Sequence, residues 1–244
     1  MKKNLSNKQI EKYSRQIVLK NVGTIGQKKI LNSNVLVVGA GGLGCPVIDY
    51  LSRAGVGRLG IIDYDKIDPS NIHRQSIYTF KDVGKYKVDV LKRKIMDINP
   101  DVKTKIFKSK ITIKNVDKIL KQFDIIIDGS DNFKTKFLIN DFSLKLKKFL
   151  VTGAISKFDG HIFTYNFKNK KTPCLRCFFQ EDKISDDILN CEYEGVLGTV
   201  AGIVGVLQAN EVLKQILNIG KNLDGEILIL DLLLLNFRKI KIKK

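Results

Sequence analysis

Glycines and a carboxylate in the first quarter of the sequence are spaced as in a phosphate-binding turn. The run Gly39-Ala-Gly-Gly-Leu-Gly44 follows a short β-branched segment, and Asp63 ends the next such segment. Glycines let the backbone approach phosphate oxygens, and the N-terminus of a following helix offers unpaired N–H groups and a positive dipole. A carboxylate about 20 residues after such a turn accepts hydrogen bonds from ribose hydroxyls. The spacing therefore predicts nucleotide binding through Gly39, Gly41, Gly42, Gly44 and Asp63.

Cations, amides and a further carboxylate follow in three later segments. These segments are residues 69–75, 84–87 and 128–132, and they contain Asn71, Arg74, Lys87, Asp131 and Asn132. Nucleotidyl transfer needs positive charge and a metal-binding carboxylate beside the phosphates, because negative charge builds on the phosphate oxygens. Hydride transfer needs neither. A nicotinamide-dependent (NAD) oxidoreductase, which shares the glycine turn and the ribose carboxylate, is the alternative, and it leaves the two cations and the extra carboxylate without a role.

The elements that must position these residues alternate between strands and helices. Hydrophobic periodicity predicts N-terminal helices at 8–19 and 24–31, then strands at 34–38, 59–62, 102–107 and 124–127, with helices at 45–54, 85–99 and 135–145. Such βαβ units pair their strands in parallel with right-handed crossovers. Strands at 150–154, 160–167 and 226–231 and a Gly-rich helix at 196–217 follow. The fold class is therefore α/β, a Rossmann-like nucleotide-binding fold with a mixed sheet, parallel in its first half and antiparallel in its second.

The chain reads as one domain over residues 1–244. N-terminal helices occupy 1–32, the nucleotide-binding half 33–155 and a second half 156–244, which contains a Cys-bearing loop at 172–195. No internal repeat or low-complexity linker divides it.

The net charge of +18 raises nucleic-acid binding as a third hypothesis. The lysines are scattered, however, and no basic stripe with stacking aromatics is evident, so no nucleic acid is expected as a partner. Only residues 238–244 form a compact basic run, which alternates with Ile as an edge strand would. The N-terminus lacks an apolar signal core, and the longest helical apolar stretch, 195–207, is short and interrupted by glycine. A cytoplasmic protein without a membrane partner is expected.

Taken in order, these motifs resemble those of the ThiF/MoeB/HesA family. This family contains molybdopterin-synthase and thiamine-biosynthesis adenylyltransferases and the adenylation half of ubiquitin-activating enzymes. The resemblance covers nearly the whole chain. It rests on the glycine turn together with Tyr13-Ser-Arg15-Gln16, Ser70-Asn71-Ile-His-Arg74-Gln75, Asp131-Asn132, Pro173-Cys174-Leu-Arg-Cys177, Gly195-Val-Leu-Gly198 and Gln208-Ala-Asn-Glu211.

The resemblance implies an activity and partners. It implies ATP- and Mg²⁺-dependent adenylylation of the C-terminal glycine carboxylate of a ubiquitin-like sulfur-carrier protein, either the small subunit of molybdopterin synthase or the thiamine sulfur carrier, with release of pyrophosphate. Asn71, Arg74 and Lys87 would stabilise the ATP phosphates, and Asp131 would organise Mg²⁺. Arg15 would reach the ATP of the other subunit, which implies a homodimer. Because the chain stops at Lys244, sulfur is expected from a separate donor protein.

Four cysteines leave a metal question open. Cys174 and Cys177 are half of a zinc site, and the second Cys pair that relatives carry near the C-terminus is missing here. His161 and Cys191 are possible third and fourth ligands, and two free thiols are the alternative. By the same resemblance, Cys191 is either a sulfur-handling nucleophile or a bystander. Cys45, which follows the glycine turn, is expected to serve packing.

Overall fold

The computed structural model describes residues 5–179 and 195–242, and its strands join in one sheet. The strands, in the spatial order β3-β2-β1-β4-β5-β6-β7-β8, number eight within these residues. The first five pair in parallel and the remaining ones antiparallel, which confirms the predicted fold class. Their bounds are β1 Asn34–Val38, β2 Arg58–Ile62, β3 Lys103–Phe107, β4 Ile125–Asp128, β5 Phe149–Ser156, β6 Asp159–Asn166, β7 Glu226–Asp231 and β8 Asn236–Lys241.

Helices cover both faces of this sheet. Two short 3₁₀ turns, Pro69–Asn71 and Phe80–Asp82, lie in the connection between β2 and the next helix. The α-helices are α1 Asn7–Lys12, α2 Ser14–Ile17, α3 Gly23–Leu31, α4 Gly44–Ala54, α5 Lys87–Ile98, α6 Val116–Leu120, α7 Phe133–Lys145, α8 Leu175–Phe178 and α9 Gly198–Leu217.

Strand β1 is buried on both faces and separates two apolar clusters. Val35 and Val37 pack into the cluster that includes α4 and α9, and Leu36 and Val38 pack into the opposite cluster with α6 and α7. Side chains alternate between the faces of a strand, so a continuous β-branched run buries both sides. Such a strand must lie at the centre of the sheet, and β2 and β4 flank it there.

The N-terminal helix differs from its prediction. A single helix was expected over residues 8–19, but α1 ends at Lys12 and α2 begins at Ser14. Tyr13 between them is 1% exposed, and Asn99 donates a hydrogen bond to its hydroxyl at 2.8 Å. A tertiary contact thus interrupts the helical period. Helices α6 and α8, of five and four residues, are too short to show a period and were not predicted.

Helix α9 confirms the Gly-rich helix predicted over residues 196–217 and begins two residues later. It has 20 residues, and by length and composition alone it would pass for a membrane span. In the fold it packs against α4, β5 and β6. Its Gln208 and Glu211 are buried and hydrogen-bonded to the sheet and to the loop before β7. These contacts make α9 a central helix of the core.

The basic tail forms the expected edge strand. Strand β8 pairs with β7 on one side, and all six of its residues are exposed. Charged side chains such as Arg238, Lys239 and Lys241 discourage pairing of that edge with another chain.

Candidate functional site

A cavity of about 370 Å³ opens at the carboxyl ends of β1, β2 and β4. Strand β1 has β2 on one side and β4 on the other, so this is the point where the order of the parallel strands reverses, the usual ligand site of such sheets. The predicted residues that line it are Gly39, Gly41, Gly42, Asp63, Asn71, Arg74, Lys87, Asp131 and Asn132.

The glycine turn is shaped by two close backbone approaches. Gly39 has φ +90°, and a Cβ there would lie 2.8 Å from the carbonyl oxygen of Gly129. A Cβ on Gly44 would lie 2.0 Å from the carbonyl oxygen of Gly39. Gly44 was predicted to bind the nucleotide with the other three glycines, but it does not line the cavity. It begins α4 and lets that helix start directly against the turn.

Asp63 ties the end of β2 to the glycine turn. Its Oδ2 accepts a hydrogen bond from the Ala40 N–H at 2.7 Å, and its Oδ1 accepts one from the Asp65 N–H at 2.8 Å. Burial raises the pKa of the Asp63 carboxyl, and the positive charge of Lys87 and the two N–H donors oppose that rise. Each oxygen keeps a lone pair, so the carboxylate can accept further hydrogen bonds from hydroxyl groups in the cavity.

Both predicted cations are held by local partners. Lys87, the first residue of α5, has a side chain only 7% exposed, and its Nζ lies 3.0 Å from Oδ2 of Asp65. Arg74 donates from Nη1 to the Ser70 carbonyl at 2.8 Å and lies 2.9 Å from His73 Nε2. The two positive charges are thus oriented before any ligand enters.

Asp131 and Asn132 stand at the start of α7. The Asn132 Oδ1 accepts a hydrogen bond from the Thr135 N–H at 2.9 Å, which makes Asn132 the helix N-cap. Its Nδ2 donates to Asp131 Oδ1 at 3.1 Å. The Asp131 side chain is exposed to the cavity, and only its Oδ1 is hydrogen-bonded to another of the described residues. Asn132 thus has a structural role that its sequence position alone did not reveal.

Sequence reasoning missed a buried ion pair at this wall, and one of its members, Lys136, lines the cavity. Lys136 Nζ lies 3.3 Å from Oδ2 of Asp128, and both side chains are at most 4% exposed. Lys136 also donates to the Gly153 carbonyl at 2.6 Å, and the Thr152 hydroxyl donates to Asp128 Oδ2 at 2.6 Å. The only sequence signal for this pair was a carboxylate at the end of a strand and a lysine in the first turn of the next helix. Helix α7 brings the two charges together only after folding.

Arg15 lies away from this cavity. It belongs to the four-residue α2 and is exposed. The predicted target of Arg15 is the ATP of a second subunit. The structure contains one chain, so this contact stays a prediction.

The cysteines do not form a complete metal site in the described part of the chain. Cys174 Sγ and Cys177 Sγ lie 3.7 Å apart at the start of α8, and no cluster of three or more potential ligands occurs among residues 5–179 and 195–242. His161 lies in β6, where burial lowers the pKa of its imidazole and Asp159 opposes that shift. Cys191 lies outside the described residues. Cys45 is in the core, and burial raises the pKa of its thiol to about 12, in keeping with the expected packing role.

The sequence is similar to those of known adenylyltransferases. A sulfur carrier protein adenylyltransferase of Thermus thermophilus is 39% identical over 242 residues, which cover 98% of this chain and 89% of that protein. The adenylyltransferase and sulfurtransferase MOCS3 of Culex quinquefasciatus is 41% identical over 239 residues. Those residues cover 98% of this chain and 54% of MOCS3, so the chain spans about half the length of that relative.

Solved structures share the fold at low sequence identity. Escherichia coli MccB with MccA-N7isoASN superposes with a TM-score of 0.85 at 20% identity, over 99% of this chain and 73% of that one. PaaA superposes with a TM-score of 0.81 at 22% identity, over 100% of this chain and 76% of that one. The model of the ThiF family matches residues 13–244. With nearly the whole chain matched, this protein belongs to the ThiF family.

Proposed function

We infer that this chain is an adenylyltransferase that uses ATP to activate the C-terminal glycine carboxylate of a ubiquitin-like sulfur-carrier protein. The observation that carries the inference is the cavity that brings Arg74 and Lys87 together with the glycine turn and Asp63. The relatives named as adenylyltransferases support the same reaction. The oxidoreductase alternative is not supported, because it explains neither the cations nor those relatives.

The arrangement of the cavity favours one orientation of ATP. The glycine turn and the N-terminus of α4 suit the phosphates, since their N–H groups and dipole attract anions. Asp63 suits the ribose hydroxyls. Tyr64, Lys110 and Ile111 line the same cavity and leave room for the base beyond the ribose.

The reaction is then a displacement at the α-phosphorus. One carboxylate oxygen of the carrier forms a bond to that phosphorus, the bond to the bridging oxygen breaks, and its electron pair leaves with pyrophosphate. No protein base is needed, since a carboxylate is already ionised at neutral pH. Arg74 and Lys87 offset the negative charge on the phosphate oxygens, so catalysis consists mainly of positioning and electrostatics.

The residues of the cavity fit a Mg²⁺ ion. Asp131 offers an exposed carboxylate with one oxygen that none of the described residues hydrogen-bonds, and Mg²⁺ in nucleotide sites takes one or two carboxylates together with substrate phosphates. When bound, Mg²⁺ would neutralise charge on the leaving pyrophosphate.

Zinc does not fit in the same way. The described residues offer only two neighbouring thiols where a tetrahedral site needs four ligands, and no step depends on it.

Finer assignments follow from the same proposal. The carrier would be the small subunit of molybdopterin synthase or the thiamine sulfur carrier, and a separate protein would donate the sulfur. A homodimer would bring Arg15 to the partner's nucleotide, in the cytoplasm, without a nucleic-acid or membrane partner. The exposed position of Arg15 on α2 is consistent with such a contact. Cys191 would act after adenylylation, since the adenylylation step needs no thiol.

Carrier-dependent exchange of labelled pyrophosphate into ATP tests the function. We expect exchange with a carrier that ends in Gly-Gly, and none with the same carrier lacking its last glycine. Thermal melting with ATP–Mg²⁺, NADH and single-stranded DNA separates the competing hypotheses, because only a bound ligand raises the melting temperature. Stabilisation by NADH with no exchange would overturn the proposal.

A further inference from the structure

Gln75 places an unused amide in the wall of the cavity. The residue lines the cavity and is 3% exposed. Its Oε1, an acceptor, has no hydrogen-bond partner among the described residues. Its donor Nε2 is not hydrogen-bonded to any of them either, and buried polar groups in folded proteins are almost always hydrogen-bonded. The Nε2 donor is therefore available to a ligand that enters the cavity.

The loop that carries Gln75 is fixed to the glycine turn. The Gln75 N–H donates to the Asn71 carbonyl at 2.9 Å, and the Tyr78 N–H donates to the Gln75 carbonyl at 3.1 Å. The buried Tyr78 hydroxyl in turn donates to the Ala40 carbonyl, within the turn, at 2.9 Å. The backbone from which the amide extends is thus held at a set distance from the turn.

The amide nitrogen faces the phosphate end of the cavity. Gln75 Nε2 lies 3.7 Å from the position that a Cβ on Gly41 would occupy, and the neighbouring Arg74 side chain packs against Gly42 in the same way. Gly41 and Gly42 both line the cavity just ahead of α4. If the glycine turn holds the phosphates of ATP, as the proposed function has it, a neutral donor at this point lies beside them.

We propose that Gln75 is a further catalytic residue, whose Nε2 donates a hydrogen bond to a nonbridging α-phosphate oxygen of ATP and of the acyl-adenylate. This role rests on the proposed function. As the carrier carboxylate attacks, negative charge grows on the nonbridging oxygens. A fixed, buried donor stabilises that charge without having to reorient. Arg74 and Lys87 each spend one donor on a protein oxygen, whereas the Gln75 amide forms no side-chain hydrogen bond with the described residues.

The experiment compares the two α-phosphorothioate diastereomers of ATP. In each diastereomer, sulfur replaces a different nonbridging oxygen, and sulfur accepts hydrogen bonds poorly. We expect the wild-type chain to discriminate between them in both binding and exchange, and Gln75→Ala to lose that discrimination together with about 10²-fold of kcat. Gln75→Glu should be worse than Gln75→Ala, because it places a carboxylate against the phosphate.

Gln27→Ala provides the matched control. Gln27 is equally buried and donates from Nε2 to the Ala54 carbonyl at 2.9 Å, on α3 and outside the cavity wall. We expect this variant to lose stability while its diastereomer ratio stays at the wild-type value. If Gln75→Ala fails to fold, Gln75→Asn, which keeps a shorter amide, takes its place in the same measurements.

Two results would overturn the role of Gln75. An unchanged diastereomer ratio in Gln75→Ala would exclude the contact with the α-phosphate. Wild-type exchange in Gln75→Glu would show that the ligand needs an acceptor at this position and not a donor. If the wild-type chain catalyses no carrier-dependent exchange, the proposed function fails by itself, and binding of the two diastereomers by calorimetry still decides the contact.

Discussion

Lys136, which lines the cavity, lies against Asp128, with Nζ 3.3 Å from Oδ2 and both side chains almost completely buried. The pair joins α7 to the end of β4. The remaining Asp128 oxygen accepts two hydrogen bonds from Ser130, from its N–H at 2.9 Å and its hydroxyl at 2.6 Å. The loop that carries Asp131 is therefore anchored by a fully bonded carboxylate.

Lys136→Met is expected to destabilise the fold by about 3–5 kcal/mol, because it leaves a buried carboxylate without its counter-charge. The double variant Lys136→Met/Asp128→Asn should lose less, since the unpaired charge is gone. Urea denaturation of both variants and of Asp128→Asn alone measures the free energy of unfolding. If the losses of the two single variants add up to that of the double variant, the two residues do not act as a pair.

Lys87→Ala should separate activity from stability. Its counter-ion Asp65 is 45% exposed and can be solvated when Lys87 is removed, so we expect a stability change of at most about 1 kcal/mol. Carrier-dependent exchange should fall by at least about 10²-fold, because a charge that stabilises the phosphates is lost. Lys92→Ala, an exposed position on the same helix α5, is the control and should retain exchange. Wild-type exchange in Lys87→Ala would remove Lys87 from the mechanism.

Asp131→Ala should abolish exchange while the fold survives, because in the part of the chain that the structure describes the exposed Asp131 carboxylate is hydrogen-bonded only to Asn132. Raising the Mg²⁺ concentration should not restore activity. The readouts are exchange and the melting temperature, measured on the same sample. Full exchange in this variant would exclude Asp131 as the Mg²⁺ ligand.

Asn132 is expected to act through its helix cap. Asn132→Ala should cost about 1 kcal/mol of stability, and Asn132→Asp should cost little, because Asp caps helices as well as Asn does. Chemical denaturation of the two variants tests the cap. If Asn132→Ala and Asn132→Asp destabilise the fold equally, the Asn132 amide stabilises it through a contact other than the helix cap.

His161 should make stability fall below neutral pH. Burial lowers the pKa of this imidazole in the folded state, so below about pH 6.5 the unfolded chain takes up a proton that the folded chain does not. The stabilisation is present above the unfolded pKa and is lost as pH falls toward the folded one. We expect His161→Gln to lose less stability than the wild type between pH 7.5 and pH 5.5 in urea denaturation. If the free energy of unfolding changes with pH in the same way in both proteins, groups other than His161 cause the loss.

The sequence by itself determined the features that depend on short stretches of chain. The β-branched run of β1 predicts a strand buried on both faces, and the glycine turn followed by Asp63 predicts where a nucleotide binds, because both depend on neighbours within about 25 residues. The cations and the start of α7 were assigned to the same site from their segments, and the structure places Arg74, Lys87 and Asp131 around one cavity.

Only the tertiary structure decided which residues share a buried space. The break at Tyr13, the pairing of Lys136 with Asp128 and the unpaired Gln75 amide each depend on partners from other elements. Periodicity reports whether a side chain faces inward, but it carries no information about which polar group it meets there. That choice is made when the helices dock on the sheet and every buried donor and acceptor must find a partner.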